Sequence, residues 1–371
     1  MNVKNMSKGR YIIMEGKLII RSSYLNTNNS TVTNFMKDIT TGPLTINKNH
    51  DYLNRVLADT AFKEIKMKDW REIFDIKKIK SFVNSDNRTR KPVLNLREVI
   101  DSLYEYIYGI WDISKFNLMF HSSGYDSRIL SHLIKRVYDE KGGTILFVCF
   151  HGEEEQMANI MRYEGWDDSQ VIFYDDYLSE DTEAFDFRYL FEHRNCPSTY
   201  TFVRPYSCVK YFKKMQIVPE ENLRIWGGAF FNEAFKFQTS LPDFIEWYYY
   251  HLYSKGGLEL PEFPITNFKT LKLIFEARPF PNDSIRLEIL KILDNTLANL
   301  PRGSYLSPKT TMHPKVYDKL IRDYQSSFYY NKIDREFDPD PCIANKRKWW
   351  FKCSLASYID HYIRNGVEIK Y

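Results

Sequence analysis

Three consecutive segments decide the fold: FNLMF (residues 116–120), HSSGYDS (121–127) and RILSHLIKRVY (128–138). The first is a short apolar run and reads as a buried strand. The second is rich in serine, with one glycine, and reads as a loop. In the third, Ile129, Leu130, Leu133, Ile134 and Val137 recur at the spacing of one helix face. Gly142 and Gly143 follow, the residue type that ends a helix. A strand, a short polar loop and a helix in that order form the first part of a βαβ unit, from which parallel sheets are built.

Outward from this segment the alternation continues. TILFVCF (144–150) is a wholly apolar strand, 153–164 a helix, and 170–174 and 223–226 further strands. Upstream, Leu96, Ile100, Leu103, Ile107 and Ile110 give 95–111 a helical period. Continuous apolar strands suit a sheet covered on both faces, so the expected class is α/β with a doubly wound parallel sheet. Helices dominate from about residue 242, as at 284–299. Near the N-terminus, residues 11–24 read as two short strands around Glu15, Gly16 and Lys17, and the Asn- and Thr-rich 26–34 as a loop. Residues 53–82 show no clear period, and 83–93 are polar without helical spacing. A boundary there divides a small α+β N-terminal domain (1–93) from the main domain (94–371).

Composition narrows the function classes. Of 371 residues, 43% are hydrophobic, enough for a sizeable core, and the net charge is only +4. Non-specific nucleic-acid binders are usually more basic, and the longest basic run is the short Lys346-Arg347-Lys348. Cys149, Cys196, Cys208, Cys342 and Cys353 form no C-x-x-C pair, which argues against zinc ribbons and dithiol redox sites. No apolar run reaches membrane-span length, so a cytoplasmic protein without a membrane partner is expected. The many Tyr (27) and Phe (26), with Lys, Asn and Ile, are what an AT-rich genome encodes, viral genomes among them.

In parallel α/β sheets, ligands sit at the carboxyl ends of strands. Ser122, Ser123, Gly124, Tyr125, Asp126 and Ser127 lie at such a point and lead into a helix. Small residues let backbone N–H groups approach an anion, and the helix N-terminus adds partial positive charge. The hydroxyls of Ser122, Ser123 and Ser127 are further donors to phosphate. Asp126 would repel phosphate without a cation between them, which implies Mg²⁺. The alternative is an ordinary N-cap, where Ser and Asp are favoured for local reasons.

The loop resembles the Ser-Gly-Gly-x-Asp-Ser signature of the N-type ATP pyrophosphatases, or PP-loop proteins, with Ser123 in place of the first glycine. Two later segments make the resemblance one to asparagine synthetases and β-lactam synthetases. WGGAFFNE (226–233) stands where that family carries Gly-Glu-Gly-x-Asp-Glu, with Gly228, Asn232 and Glu233 matching in position and Asn232 replacing the acid. KRKWWF (346–351) is similar to the family's Arg-x-Lys-x-x-Phe, with Lys348 on the lysine. The resemblance covers roughly residues 96–360. It implies an adenine-nucleotide alpha-hydrolase-like fold, with ATP held by Ser122, Ser123, Gly124, Asp126, Ser127 and Gly228. It implies Mg²⁺ on Asp126, Asn232 and Glu233, and Lys348 as the catalytic cation. The implied reaction is ATP-dependent ligation of a carboxylate to an amine through an acyl-adenylate. Full asparagine synthetases expose an N-terminal cysteine that hydrolyses glutamine. Here Asn2 follows Met1, and the first cysteine is Cys149. Glutamine-independent chemistry is therefore expected, with 1–93 a reduced glutaminase-like remnant or an unrelated domain.

A rival expectation is a degenerate relative, viral in source, acting as a structural or interaction protein in the host cytoplasm or virion. Ser123, Ala229 and Asn232 motivate it. A tRNA-modifying pyrophosphatase ranks lower, because paired cysteines and a basic surface are missing. Among other residues, His121 and His151 read as structural histidines before general bases. Glu153, Glu154 and Glu155 read as a helix cap before a metal site. Asp175 and Asp176 read as a polar loop, and the aromatic runs 247–250 and 349–351 as packing before base stacking.

Overall fold

A computed structural model describes residues 11–14, 17–20, 24–26, 31–33, 42–47, 62–67, 93–150, 152–183, 185–194, 200–228, 231–236, 261–277, 284–303, 312–335 and 347–371. The N-terminal strands are β1 (Tyr11–Met14), β2 (Lys17–Ile20), β3 (Tyr24–Asn26), β4 (Thr31–Thr33), β5 (Leu44–Thr45) and β6 (Ile65–Met67). Helix α1 (Leu96–Ile110) leads to β7 (Phe116–Phe120), α2 (Tyr125–Lys141), β8 (Thr144–Phe150), α3 (Glu154–Tyr163) and β9 (Val171–Tyr174). Next come α4 (Phe187–Arg194), α5 (Tyr200–Lys214), β10 (Leu223–Gly227), α6 (Phe231–Lys236), α7 (Phe268–Glu276), α8 (Ile285–Leu293) and α9 (Asn295–Asn299). The chain closes with α10 (Pro314–Ser326), α11 (Phe328–Lys332), α12 (Arg347–Arg364) and β11 (Ile369–Lys370).

The protein is α/β, and its central sheet has the order β10-β7-β8-β9 with every pairing parallel. Leu118 aligns with Leu146 on one side and Ile225 on the other. Because side chains alternate along a strand, the apolar runs pack onto helices on both faces of the sheet. Leu118, Leu146, Val148 and Ile225 pack with Cys208, Val209 and Phe212 of α5. Met119, Ile145, Phe147 and Cys149 turn the other way, onto Ile129, Leu133 and Val137 of α2. Each buried aliphatic side chain contributes roughly 1.5–3 kcal/mol. Asn117 is a buried polar exception. Its amide donates to the Lys115 and Thr144 carbonyls and accepts from Trp226 Nε1 at 2.9 Å, fixing the register of three strands.

Several boundaries differ from the sequence expectation. Helix α2 begins at Tyr125 rather than Arg128, with Gly124 as its N-cap, so Asp126 and Ser127 lie in the first helical turn. An acid there complements the helix dipole, which accounts for the earlier start. The expected helix 284–299 breaks in two. Asp294 is extended (φ −159°) and caps α9 by accepting from the Leu297 N–H. The expected loop 26–34 contains strand residues at both ends, with Asn26 opposite Thr31. The β-branched Thr31, Val32 and Thr33 suit a strand. Strands β1 and β2 form the expected hairpin, Tyr11 opposite Ile20.

A second core joins distant parts of the chain. Leu44, Ile46, Phe62 and Ile65 pack with Leu190 and Phe191 of α4, Leu320 and Tyr324 of α10, and Leu355, Ile359 and Tyr362 of α12. Strand β11 runs parallel to β5, Ile369 beside Leu44. The polar stretch 83–92 lies outside the described residues. Among the described residues no helix is long and apolar enough to cross a membrane.

Candidate functional site

The chain leaves β7 toward β8 through α2, whereas β10 lies on the other side of β7. Strand order therefore reverses at the carboxyl end of β7, where crevices form in parallel sheets. His121 to Gly124 occupy this point. Gly227 aligns with Phe120, which brings Gly228 against the loop. A Cβ on Gly228 would stand 3.0 Å from the Ser127 nitrogen and 3.1 Å from the Asp126 carbonyl oxygen. Only glycine lets the two backbones come this close.

Inside the loop, the Ser122 N–H donates to Ser127 Oγ at 3.2 Å, and the two hydroxyls lie 3.1 Å apart. The Gly124 N–H donates to Ser122 Oγ at 3.3 Å. Ser123 is engaged on both sides. Its N–H donates to Glu153 Oε2 at 2.6 Å, and its Oγ accepts from the Gly303 N–H at 2.6 Å. Glu153, expected to cap its own helix, makes no side-chain cap there and reaches this loop instead. A carboxylate thus sits on one of the N–H groups that a phosphate cradle offers.

Arg128 was not anticipated as part of this site. Its guanidinium is fully buried. Nε donates to the Ser123 carbonyl at 2.9 Å, Nη1 to those of Leu297 and Leu300, and Nη2 to that of Pro301 at 2.6 Å. Arg128 thereby straps residues 297–303 over the loop. The strap carries Arg302, whose guanidinium lies 4.3 Å from the Tyr125 ring centre, within cation–π reach. A buried arginine one turn into a helix is visible in sequence only as a charge on an apolar face. Its partners are carbonyls, which sequence does not reveal.

Asp126 also has a partner: its Oδ1 accepts from Arg286 Nη1 at 2.8 Å. Helix α8 packs against α2 and α6, which sets Arg286 beside the first turn of α2. His121 is 3% exposed, and neither ring nitrogen has a hydrogen-bond partner. Burial, with help from Arg128, pushes its pKa down to about 3. It is neutral near pH 7 and a weak base, and with both ring nitrogens unsatisfied it is not the hydrogen-bonded structural histidine that a buried position usually implies. Asp175 caps the turn that follows β9 by accepting from the Tyr177 N–H.

The structure brings Ser122, Ser123, Gly124, Asp126, Ser127 and Gly228 together. Asn232 and Glu233 lie on α6, which begins three residues after Gly228, and Lys348 lies in the first turn of α12. The side chains of these three fall outside the described residues, as do His151, Ala229, Cys196, Cys342, residues 247–250 and the side chains of 349–351. Cys149, Cys208 and Cys353 are buried free thiols. Among the described residues, no group of three or more His, Cys, Asp or Glu side chains is placed to hold a metal ion.

The fold and site together define a class: an α/β protein whose parallel sheet carries a serine- and glycine-lined loop at its reversal point. No family model matches the chain. A 146-residue stretch is 28% identical to part of the serine/threonine-protein kinase tel1 of Schizosaccharomyces pombe (strain 972 / ATCC 24843), covering 38% of this chain. The chain spans about 5% of that protein's length.

Proposed function

We propose that the protein is a glutamine-independent, ATP-dependent amide-forming ligase of the asparagine synthetase and β-lactam synthetase type. The carrying observation is the packing of Gly228 onto the backbone of Asp126 and Ser127 at the carboxyl end of β7. Two segments far apart in the chain, each pointing by sequence to the same phosphate site, meet there so closely that a Cβ on Gly228 would crowd the backbone of Asp126 and Ser127. The sheet is, in this reading, doubly wound and of the adenine-nucleotide alpha-hydrolase-like type. The division of the chain at residue 93 and a cytoplasmic setting belong to the same reading.

In this reaction a carboxylate oxygen attacks the α-phosphorus of ATP, and the bond to the β-phosphate oxygen breaks to release pyrophosphate. An amine then attacks the acyl carbon, AMP leaves and one proton is lost. Gly124 and the first turn of α2 receive the phosphates, the dipole of α2 favours their charge, and Lys348 meets the charge that develops at the reacting carboxyl. Positioning and electrostatics supply most of the rate.

Mg²⁺, implied with Asp126, Asn232 and Glu233 as ligands, would screen the phosphates from the acid. The fit at Asp126 is poor, because a guanidinium already holds its carboxylate. No step is therefore assigned to the ion.

A second reading, a non-catalytic relative with a structural or interaction role, is favoured by one observation. Glu153 accepts from the Ser123 N–H, and the Gly303 N–H donates to Ser123 Oγ. Pyrophosphate release separates the readings. The protein is incubated with ATP, Mg²⁺ and pools of carboxylates and amines. Release that is lost in Asp126→Ala and Lys348→Ala supports the ligase. Absence of both release and an ATP-induced thermal shift refutes it.

A further inference from the structure

We infer that Arg286 replaces the divalent ion as the counter-charge of Asp126, so that this loop binds a phosphate chain without metal at that acid. The inference rests on the nucleotide reading above and extends it to a residue that no motif identifies.

An aspartate in the first turn of a phosphate-binding helix opposes the ligand's charge, and something positive has to stand between them. Here the positive group is built in. Arg286 Nη1 donates to Asp126 Oδ1 at 2.8 Å, a charge-assisted hydrogen bond, and the two side chains are 23% and 22% exposed. The pair is accessible to a ligand yet fixed by packing. Arg286 is the second residue of α8, Asp126 the second of α2, and the two helices lie against each other. A metal at Asp126 would have to share the carboxylate with that guanidinium, whose charge opposes it.

Two further observations agree. Asn232 stands where the related synthetases carry an acid, so the chain has one carboxylate fewer to offer an ion. A second guanidinium, Arg302, lies over the Tyr125 ring at the start of the same helix. Arginine suits this task because it stays charged at any relevant pH and presents planar, paired donors to phosphate oxygens. The ligand class is therefore a di- or triphosphate held by guanidinium and backbone N–H groups.

The test is calorimetric titration of the full chain with ATP, and separately with inorganic pyrophosphate, in EDTA and in Mg²⁺. The wild type is expected to bind in EDTA within about threefold of its affinity in Mg²⁺. Arg286→Ala should lose about tenfold or more in EDTA, and Arg286→Lys should recover part of that loss. Circular dichroism and thermal melting verify folding, and Arg286→Gln serves if the alanine variant does not fold. Wild-type binding that disappears in EDTA, or Arg286→Ala and Arg286→Gln binding as tightly as wild type, would overturn the role of Arg286 and leave the nucleotide reading intact. Failure of the wild type to bind either probe in both buffers overturns both.

Discussion

The central parallel sheet and the second core are built on opposite plans. The sheet is local: β7, α2, β8, α3 and β9 follow one another within residues 116–174, and only β10 comes from farther along. The second core is non-local. It joins Leu44 and Phe62 to Ile359 and Tyr362, and β5 to β11, across nearly the whole chain. One core closes short loops and the other a very long one, and loop closure is the entropic cost that contacts must offset. The candidate site stands on the local plan. Its strap at 297–303, however, is brought in by Arg128 from far away.

The largest effect should come from cutting that link. Arg128→Ala removes a buried guanidinium from the carbonyls of Ser123, Leu297, Leu300 and Pro301. A loss of about 3–5 kcal/mol is expected in denaturant unfolding. A loss under about 1 kcal/mol would mean the strap is held by something else.

Next, Leu133→Ala in the sheet core and Ile359→Ala in the second core should each cost about 2–5 kcal/mol. Both residues are fully buried. Hydrogen exchange decides whether the two plans are two cooperative units. If they are, each variant speeds exchange only in its own region. Uniform acceleration in both variants would merge them.

Stability should also depend on pH through Glu164. Its carboxyl is 1% exposed and accepts from Ser131 Oγ and Trp166 Nε1, both at 3.1 Å. Burial pushes its pKa up from 4.5 to about 8. The native state then holds a proton that the unfolded chain releases, so stability is full below about pH 4.5 and falls as pH rises to about 8. Across that window the loss is at most about 1.4 kcal/mol for each pH unit, before the site relaxes. His132, 3.9 Å from this carboxyl, has its own pKa lowered by burial, so the two form no strong ion pair near neutrality. Melting temperature measured from pH 5 to 8 should decline in wild type and flatten in Glu164→Gln. An equal slope in both would remove Glu164 as the cause.

The smallest effect on stability is expected at Gly228. A Cβ there meets the backbone of Asp126 and Ser127 at 3.0–3.1 Å, so Gly228→Ala should cost about 1–3 kcal/mol. Under the proposed ligase reading its effect on ATP binding should be the larger one, because the displacement falls on the helix turn proposed to receive the phosphates. Unchanged ATP affinity would detach Gly228 from the site.

Much of the sheet was legible because its signals are short-range. Apolar runs of strand length, a serine and glycine loop, and Ile129, Leu133 and Val137 on one helix face all report local burial. The meeting of Gly228 with the loop was legible only through motif order. The partners of the loop were not. Glu153 reads as an N-terminal helix acid, Arg128 as a stray charge and Arg286 as an ordinary helix residue, since each acquires its role from a contact with a remote segment. Likewise, the strand character of 24–26 and 31–33 depends on pairing, and β6, which also pairs with β3, comes from residues 65–67.

The sequence by itself determined an α/β chain, the alternation of helices and strands between residues 96 and 174, and the serine- and glycine-rich loop that leaves the sheet after β7. Periodicity and glycine placement are properties of neighbouring residues, and they suffice for that. Only the tertiary structure decided what the loop touches. Ser123 meets Glu153 and Gly303, and Asp126 meets Arg286. Charge and hydrogen-bond partners are set by distance in space, and a loop that sequence presents as an open phosphate cradle is, in the folded protein, already lined with its own carboxylate and its own cation.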